Sequence, residues 1–317
     1  MPTAYTPFPP EKKGVNLIEN IPLETVVPYI NWRFFFLAWR ISGNYEGIET
    51  VCACPACTKS WLRKQFANSR AKATEALSLY RDATAMLQQM RGENKLTINA
   101  SVGIFPAISQ NENIVFTAID GKKITLPMLR QQENQNEGLY YSLADFISPT
   151  SDFAGVFALC VHGGDRMAEV YEKANDSYNA ILAKTLSDRL AEATAEWLHE
   201  QVRKQYWGYA AAEKLTISEM LKGHYTGIRP AIGYPSLPDQ SLIFELKPLL
   251  PFEKIGITLT ENGAMKPNAS ICGLFVAHPK AKYFSVGKID QKQLGDYAHR
   301  RGKNTDEMRK WLSHNID

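Results

Sequence analysis

The stretch Gly227-Ile228-Arg229-Pro230-Ala231-Ile232-Gly233-Tyr234-Pro235-Ser236-Leu237-Pro238-Asp239, called the Pro-rich segment below, decides how the rest of the chain is interpreted. Its three prolines fix φ and donate no backbone hydrogen bond, so the segment cannot form the interior of a helix or a central strand. We therefore predict a stiff, extended loop that loses little conformational entropy when it becomes ordered.

Three residues of the Pro-rich segment suit a binding site. Gly233 lets a ligand or another stretch of backbone approach closely, because glycine has no side chain. Arg229 offers a planar fork of donors that matches a carboxylate or a phosphate, and Tyr234 adds a flat apolar face with a polar tip. An ordinary proline-rich connection with a surface arginine has the same composition, so composition alone leaves both interpretations open.

Length and composition limit the class of protein. The chain has 317 residues, 44% of them hydrophobic, which allows one large domain or two modest ones. The net charge is +3, and no stripe of Lys and Arg alternates with aromatic residues, so we expect no nucleic acid partner. The longest apolar run, residues 153–161, is too short to cross a bilayer, so no membrane association is expected. The first residues lack the features of a signal peptide.

Five cysteines, an odd number, predict a reduced, cytoplasmic protein without a disulfide framework. Cys52, Cys54 and Cys57 fall within six residues, called the cysteine segment below. Three such thiols match a zinc or iron–sulfur site, with a fourth ligand from Cys160, Cys272 or a partner. No second pair of ligands follows at a suitable spacing, so free thiols are the competing interpretation.

Hydrophobic periodicity predicts both helices and strands. Residues 165–206 lack proline and glycine and repeat apolar residues at helical spacing, with a break expected near Asn175-Asp176. Within this stretch Asp188 and Glu192 share a helix face, which fits either a solvated acidic face or a carboxylate near a cationic ligand. Further helices are predicted at 73–90 and 291–301, with a short helical turn at 242–246. Strands are predicted at 96–105, 114–118, 123–126, 153–161, 255–260, 270–277 and 283–289, with 143–146 as a strand or buried segment.

The motif Arg229-Pro230-Ala231-x-Gly233-Tyr234-Pro235 resembles the S-adenosylmethionine (AdoMet) loop of the activation domain of cobalamin-dependent methionine synthase. The resemblance runs from about Ile21 to the C-terminus. Other similar segments occur in the same order at residues 29–35, 103–107, 142–146, 188–192, 206–210, 259–261 and 277–279.

The resemblance implies an α+β fold with a mixed or antiparallel sheet flanked by helices. It also implies a single AdoMet-binding activation domain over residues 21–317, and the proline, lysine and glutamate content of residues 1–20 indicates an N-terminal arm before it. A segment around residues 50–72 is longer than is usual in the family, and we interpret it as an insertion.

The resemblance also implies roles for individual residues. Arg229 pairs with the AdoMet carboxylate, the backbone around Ala231 and Gly233 cradles the ligand, and Tyr234 lines the pocket. Other implied contacts come from Tyr283, Glu192 and Asn31. Two positions depart from the family. Asn31 replaces an aspartate that contacts the amino acid end of AdoMet, and Gln240 replaces a histidine that faces the corrinoid.

The reaction that the resemblance implies is methyl transfer from AdoMet to cobalamin, coupled to one-electron reduction by a flavodoxin-like donor. No catalytic acid or base is expected, because the protein only positions the reactants. No Asp-x-His-x-x-Gly motif occurs in the chain, so cobalamin would come from a partner chain. Two alternatives stay open: a non-catalytic module that senses AdoMet or docks a corrinoid protein, and a reactivator of another corrinoid methyltransferase.

Overall fold

The computed structural model describes residues 5–66, 69–92, 96–133 and 138–316, which form two compact units. The first unit contains the residues up to 20, residues 99–160 and the residues from 195 onward, and the second contains residues 21–98 and 161–194. Residues 1–4 of the predicted arm and 67–68 of the predicted insertion lie outside the described residues. The prediction of a single domain over 21–317 stays a prediction.

A sheet forms the centre of the first unit, and six strands among the described residues belong to it. The strand order is β4-β3-β2-β5-β8, and β1 also pairs with β2. The pairs β1–β2, β2–β3, β3–β4 and β5–β8 are antiparallel. The strands are β1 (Gly14–Ile18), β2 (Thr97–Gln110), β3 (Asn113–Thr117), β4 (Lys123–Pro127), β5 (Asp152–His162) and β8 (Ser270–Phe275), and β6 (Thr258–Leu259) and β7 (Met265–Lys266) form a separate two-stranded ladder.

Part of the predicted N-terminal arm belongs to this sheet. Gly14 lies opposite Ile104 and Ile18 lies opposite Ala100, so all five residues of β1 pair with β2. This pairing satisfies backbone groups that a free arm would leave to water.

Apolar faces of the sheet and of the C-terminal helices share one core. After the short helix α7 (Ile217–Leu221), helix α8 (Gln291–Arg300) is capped by Asp290, and α9 (Thr305–Trp311) is capped by Asn304, which accepts from the backbone N–H of Glu307. The predicted helix at 291–301 is therefore confirmed. Buried residues that these helices contribute to the core include Leu294, Tyr297, Ala298, Met308 and Leu312.

Helices form most of the second unit. Aromatic rings meet edge to face within it, including Trp32 with Tyr80 at 4.7 Å and Phe36 with Tyr45 at 5.3 Å between ring centroids. The helices are α1 (Leu23–Val26), α2 (Trp32–Ala38), α3 (Pro55–Lys64), α4 (Arg70–Arg91), α5 (Gly164–Lys173) and the first part of α6 (Ser177–Gln201).

The break predicted near residues 175–176 lies between α5 and α6. Asn175 adopts a positive φ of 59°, a left-handed conformation that asparagine tolerates and that ends a helix. The Asp176 side chain then accepts from the backbone N–H of Asn179 at 3.0 Å, which begins the next helix. Because α5 ends before Asn175 and α6 begins after Asp176, the prediction of two helices with a break at these residues is confirmed.

Two predicted strands are wrong. Residues 283–289 form no strand, because their backbone groups bond to scattered partners: Val286 donates to Pro235 and Ile289 to Asn315. Residues 255–260 contribute only the two-residue strand β6 after a 3₁₀ turn. Residues 143–146, predicted as a strand or a buried segment, form a buried 3₁₀ turn that begins with a capping box of Ser142 and Asp145. The strands at 96–105, 114–118, 123–126, 153–161 and 270–277 are confirmed within a few residues of their bounds.

Candidate ligand-binding site

The Pro-rich segment runs antiparallel along the outer edge of β8, as the predicted extended loop. Ile228 and Val276 exchange two backbone hydrogen bonds of 2.9 and 3.0 Å, and Leu274 donates to the carbonyl of Pro230 at 2.9 Å. Proline lacks only the donor, so Pro230 can accept within this pairing without disturbing it. Long-range pairing to β8 therefore fixes the backbone on which Arg229 sits.

Glycine makes this close pairing possible. A Cβ at Gly273 would lie 2.3 Å from the carbonyl oxygen of Pro230 and 2.8 Å from the Cα of Ala231. Gly233 has a φ of +85°, and a Cβ there would lie 2.5 Å from Oε1 of Gln240. The Gln240 side chain, a departure from the family, donates to the carbonyl of Gly263 at 2.9 Å and occupies the space that a side chain at position 233 would need.

A tight turn follows. Tyr234 donates to the carbonyl of Ala231 at 3.2 Å, while Gly233 and Tyr234 bond with Leu237 across the turn at 2.9 and 2.8 Å. Ala231 lies opposite Gly273 while the residues on either side of it make the bonds to β8, so the backbone groups of Ala231 face away from the sheet. The turn leaves 47% of Tyr234 exposed. Gly233 and Tyr234 are therefore exposed, while Ala231 is buried against β8.

Arg229 is held at both ends. Its guanidinium Nη2 donates to Oε1 of Glu196 at 2.5 Å, and both side chains are largely buried, at 11% and 18% exposed. Its backbone N–H donates to the hydroxyl of Tyr283 at 3.0 Å. Tyr283 is itself 47% exposed and bonds to the hydroxyl of Tyr225 at 3.3 Å. The structure therefore brings together Arg229, Tyr283 and the turn at Gly233, as the resemblance implies.

Sequence reasoning missed Glu196. It lies on α6 four residues after Glu192 and eight after Asp188, so all three recur at helical spacing. Extending the acidic stripe of Asp188 and Glu192 by one turn would have made Glu196 a candidate. Oε2 of Glu196 is buried without a hydrogen-bond partner among the described residues, so this carboxylate can accept another donor.

A buried histidine lies beneath this region. His199 is fully buried, stacks on Phe275 with 5.5 Å between ring centroids, and lies 3.3 Å from the hydroxyl of Tyr209 through Nε2. Burial and the nearby charges of Arg203 and Arg229 lower the pKa of His199 well below its ordinary value of 6.5. The imidazole is therefore neutral at physiological pH and adds no positive charge beside Arg229.

A buried ion pair supports the tyrosines. Arg203 donates to Glu213 through two nitrogens at 2.7 and 2.9 Å, and Arg203 is 1% exposed. The guanidinium also lies 4.6 Å from the centre of the Tyr225 ring, an attractive arrangement of cation and π face. Since Tyr225 contacts Tyr283, these contacts connect Glu213 to the backbone of Arg229.

Asn31 and Glu192 belong to the second unit, and their contact with a ligand stays a prediction. Asn31 precedes α2 and accepts from the backbone N–H groups of Phe34 and Phe35 through its carbonyl, while its side chain makes no capping bond. Glu192 is half-buried on α6.

The thiols of the cysteine segment are free and exposed. Hydrogen bonds from Cys57 and Cys52 lower the pKa of Cys54 to about 7. Cys160 and Cys272 are buried inside the sheet of the first unit, where burial raises the pKa of both thiols, that of Cys160 to about 12.

Among the described residues no helix has both the length and the apolar composition that a membrane span requires.

Arg229 and Glu196 define the chemistry that this site can serve. A largely buried cation and a carboxylate with a spare acceptor oxygen lie side by side, which matches the carboxylate and ammonium of a free amino acid end. Two exposed tyrosine rings flank them and suit an uncharged, flat part of the same ligand.

Comparison with known proteins agrees with this description. Residues 22–302 match the model of the vitamin B12-dependent methionine synthase activation domain. A solved structure of the MetH reactivation domain bound to AdoHcy is similar to this chain, with 36% sequence identity and a TM-score of 0.86. The match covers 98% of this chain and 93% of that one. The chain therefore belongs to the family of vitamin B12-dependent methionine synthase activation domains.

Proposed function

We propose that this chain binds AdoMet at the Pro-rich segment and presents its methyl group to cobalamin held on a partner chain, as the reactivation component of methionine synthase. The proposal depends on one observation. Arg229 pairs with Glu196, and the backbone on either side of Arg229 is hydrogen-bonded along β8. Support also comes from the similar MetH reactivation domain, which was solved with AdoHcy bound.

The carboxylate and the ammonium of the ligand's methionine end each have a matching side chain. Arg229 binds the carboxylate of the methionine end, and Glu196 accepts from its ammonium through Oε2. Tyr283 and Tyr234 pack against the remainder through their exposed rings. Contacts from Asn31 and Glu192 are part of the proposal and rest on the resemblance alone.

The chemistry requires positioning and no acid or base. Methyl transfer from a sulfonium is an in-line displacement in which the leaving thioether needs no proton. The cobalt of the corrinoid supplies the nucleophile when the partner chain delivers it. The residues of this chain therefore bind, orient and shield the donor, and a flavodoxin-like protein supplies the electron. The cytoplasmic location that the sequence predicts completes this proposal.

The first test is AdoMet binding by titration calorimetry. Arg229→Ala removes a charged hydrogen-bonding partner, which costs about 1.5–3 kcal/mol and weakens binding at least about tenfold. The matched control is Arg309→Ala on α9, where the lost contact is an exposed bond to Gln291. Equal affinities for wild type and Arg229→Ala would contradict binding at the Pro-rich segment.

Turnover separates this proposal from a sensing or docking role. With a reduced corrinoid protein and AdoMet, a reactivation component produces methylcobalamin, which absorbs at wavelengths distinct from those of cob(II)alamin. Binding without any methylcobalamin, in the presence of a competent reductant and partner, would favour the non-catalytic alternative.

A further inference from the structure

The three thiols of the cysteine segment converge on one point. The Sγ atoms of Cys52, Cys54 and Cys57 all lie within 4.8 Å of one another, and the Cys52 thiol donates to Sγ of Cys54 at 3.2 Å. All three are exposed, so they are accessible to an ion from solvent. Among the described residues, these three thiols are the complete group.

Local structure holds two of the thiols together. Cys54 is the N-cap of α3, and its Sγ accepts from the backbone N–H of Cys57 at 3.2 Å. Pro55 occupies the first helical position, where its fixed φ favours the start of a helix. The side chains of Cys54 and Cys57 therefore face each other as a consequence of how α3 begins.

A second set of hydrogen bonds holds the backbone of Cys52, which carries the third thiol. The Arg81 guanidinium on α4 donates to the carbonyl of Cys52 at 3.3 Å and to the hydroxyl of Thr58 at 2.7 Å. This bridge ties the backbone of Cys52 to the first turn of α3. Convergence of the three sulfurs is therefore supported from two elements of the second unit.

The spacing of the sulfurs selects among metal sites. A tetrahedral zinc ion with Zn–S bonds of 2.3 Å separates neighbouring sulfurs by about 3.8 Å, within the 4.8 Å observed here. A [4Fe–4S] cluster binds each thiolate to a different iron and needs wider separations. Thiolate ligands favour soft ions such as Zn²⁺ over Mg²⁺ or Ca²⁺.

We propose that Cys52, Cys54 and Cys57 bind a single thiophilic metal ion of the Zn²⁺ type, whose fourth position is open to water or an external thiol. Binding releases the three thiol protons and gives a complex with one net negative charge. The N-terminal end of α3, which carries a partial positive charge, offsets this charge. The proposal does not rest on AdoMet binding or on methyl transfer.

The test uses the untagged full chain, reduced and kept anaerobic, titrated with Co²⁺ and then with Zn²⁺. Sulfur-to-cobalt charge-transfer absorption should saturate at one equivalent and disappear when Zn²⁺ displaces Co²⁺. Cys57→Ser should weaken Co²⁺ binding by about 100-fold or more, while Ser60→Ala, on the exposed side of the same helix, should retain it. Circular dichroism of both variants confirms that they are folded.

Two results would overturn the proposal. One is the absence of charge-transfer absorption in a sample whose five thiols are shown to be reduced. The other is equal Co²⁺ affinity for wild type and Cys57→Ser. Broad visible absorption together with several iron atoms per chain after anaerobic expression would indicate an iron–sulfur cluster, and this result would also contradict the binding of a single ion.

Discussion

The Pro-rich segment and the cysteine segment differ in the range of the contacts that hold them. In the Pro-rich segment, Arg229 depends on pairing with β8 more than forty residues later and on Tyr283. In the cysteine segment, Cys54 depends on Cys57, three residues away, and on one bridge from Arg81. The first site therefore requires a folded unit, whereas the second requires little more than the start of one helix and its neighbour.

Glu213→Ala is expected to have the largest effect and to affect the first site alone. It leaves Arg203 buried without its partner, which should lower the free energy of unfolding by about 3–5 kcal/mol. Urea unfolding followed by tryptophan fluorescence measures this change, and AdoMet affinity should fall with it.

The control for Glu213→Ala is Glu172→Ala, which breaks an exposed pair with Lys184 and should leave the unfolding midpoint unchanged. Co²⁺ binding by folded Glu213→Ala should match wild type. Loss of Co²⁺ binding in that variant would contradict the claim that the cysteine segment is held independently of the Pro-rich segment.

Gly273→Ala should displace the Pro-rich segment directly. Its Cβ would meet the backbone of Pro230 and Ala231, which cannot give way without losing the pairing to β8. We expect a loss of about 2–3 kcal/mol in the free energy of unfolding and at least tenfold weaker AdoMet binding by calorimetry. Gly295→Ala on α8, where the new methyl meets open space, should be neutral or stabilising by up to about 1 kcal/mol.

The neutral His199 gives the first unit a pH dependence. Below about pH 6.5 the unfolded chain binds a proton at this residue while the folded chain does not, because burial lowers the pKa in the folded state. The free energy of unfolding should therefore fall by about 1.4 kcal/mol per pH unit as the pH decreases from 6.5. Urea unfolding between pH 5 and 8 should show this slope in wild type and lack it in His199→Gln, and identical slopes would contradict it.

Tyr283→Phe should have the smallest effect. It removes the hydroxyl that accepts from the backbone N–H of Arg229, so AdoMet binding should weaken by about 1 kcal/mol, or about fivefold. Tyr140→Phe, at another partly exposed tyrosine of the first unit, is the matched control. A change as large as that of Arg229→Ala would mean that Tyr283 does more than fix the segment.

Local signals in the sequence predicted most of the fold. The break between α5 and α6 follows from Asn175 and Asp176, and the strands predicted at 114–118 and 123–126 form the hairpin of β3 and β4, where Gly121 adopts a φ of 82°. The prediction failed at residues 283–289, where alternation is present but the backbone bonds go to three different regions instead of one strand. Periodicity describes which faces are buried and does not identify the partner of each N–H.

The candidate site was predicted unevenly for the same reason. Arg229, Ala231, Gly233 and Tyr234 are neighbours in sequence, so one motif located them together. Glu196 became visible only through its contact with Arg229, 33 residues later in the chain. Its position on the acidic stripe of α6 was a usable signal, but no motif distinguishes it from a solvated glutamate.

The pairing of the Pro-rich segment with β8 also protects the protein from self-association. β8 is the last strand on its side of the sheet, and an uncovered edge of this kind is a template for pairing with other chains. The segment covers that edge with a backbone in which Pro230 donates nothing and a turn at Gly233 prevents a further strand from adding. Variants that release the Pro-rich segment would therefore expose an aggregation surface, so that solubility and ligand binding decline together.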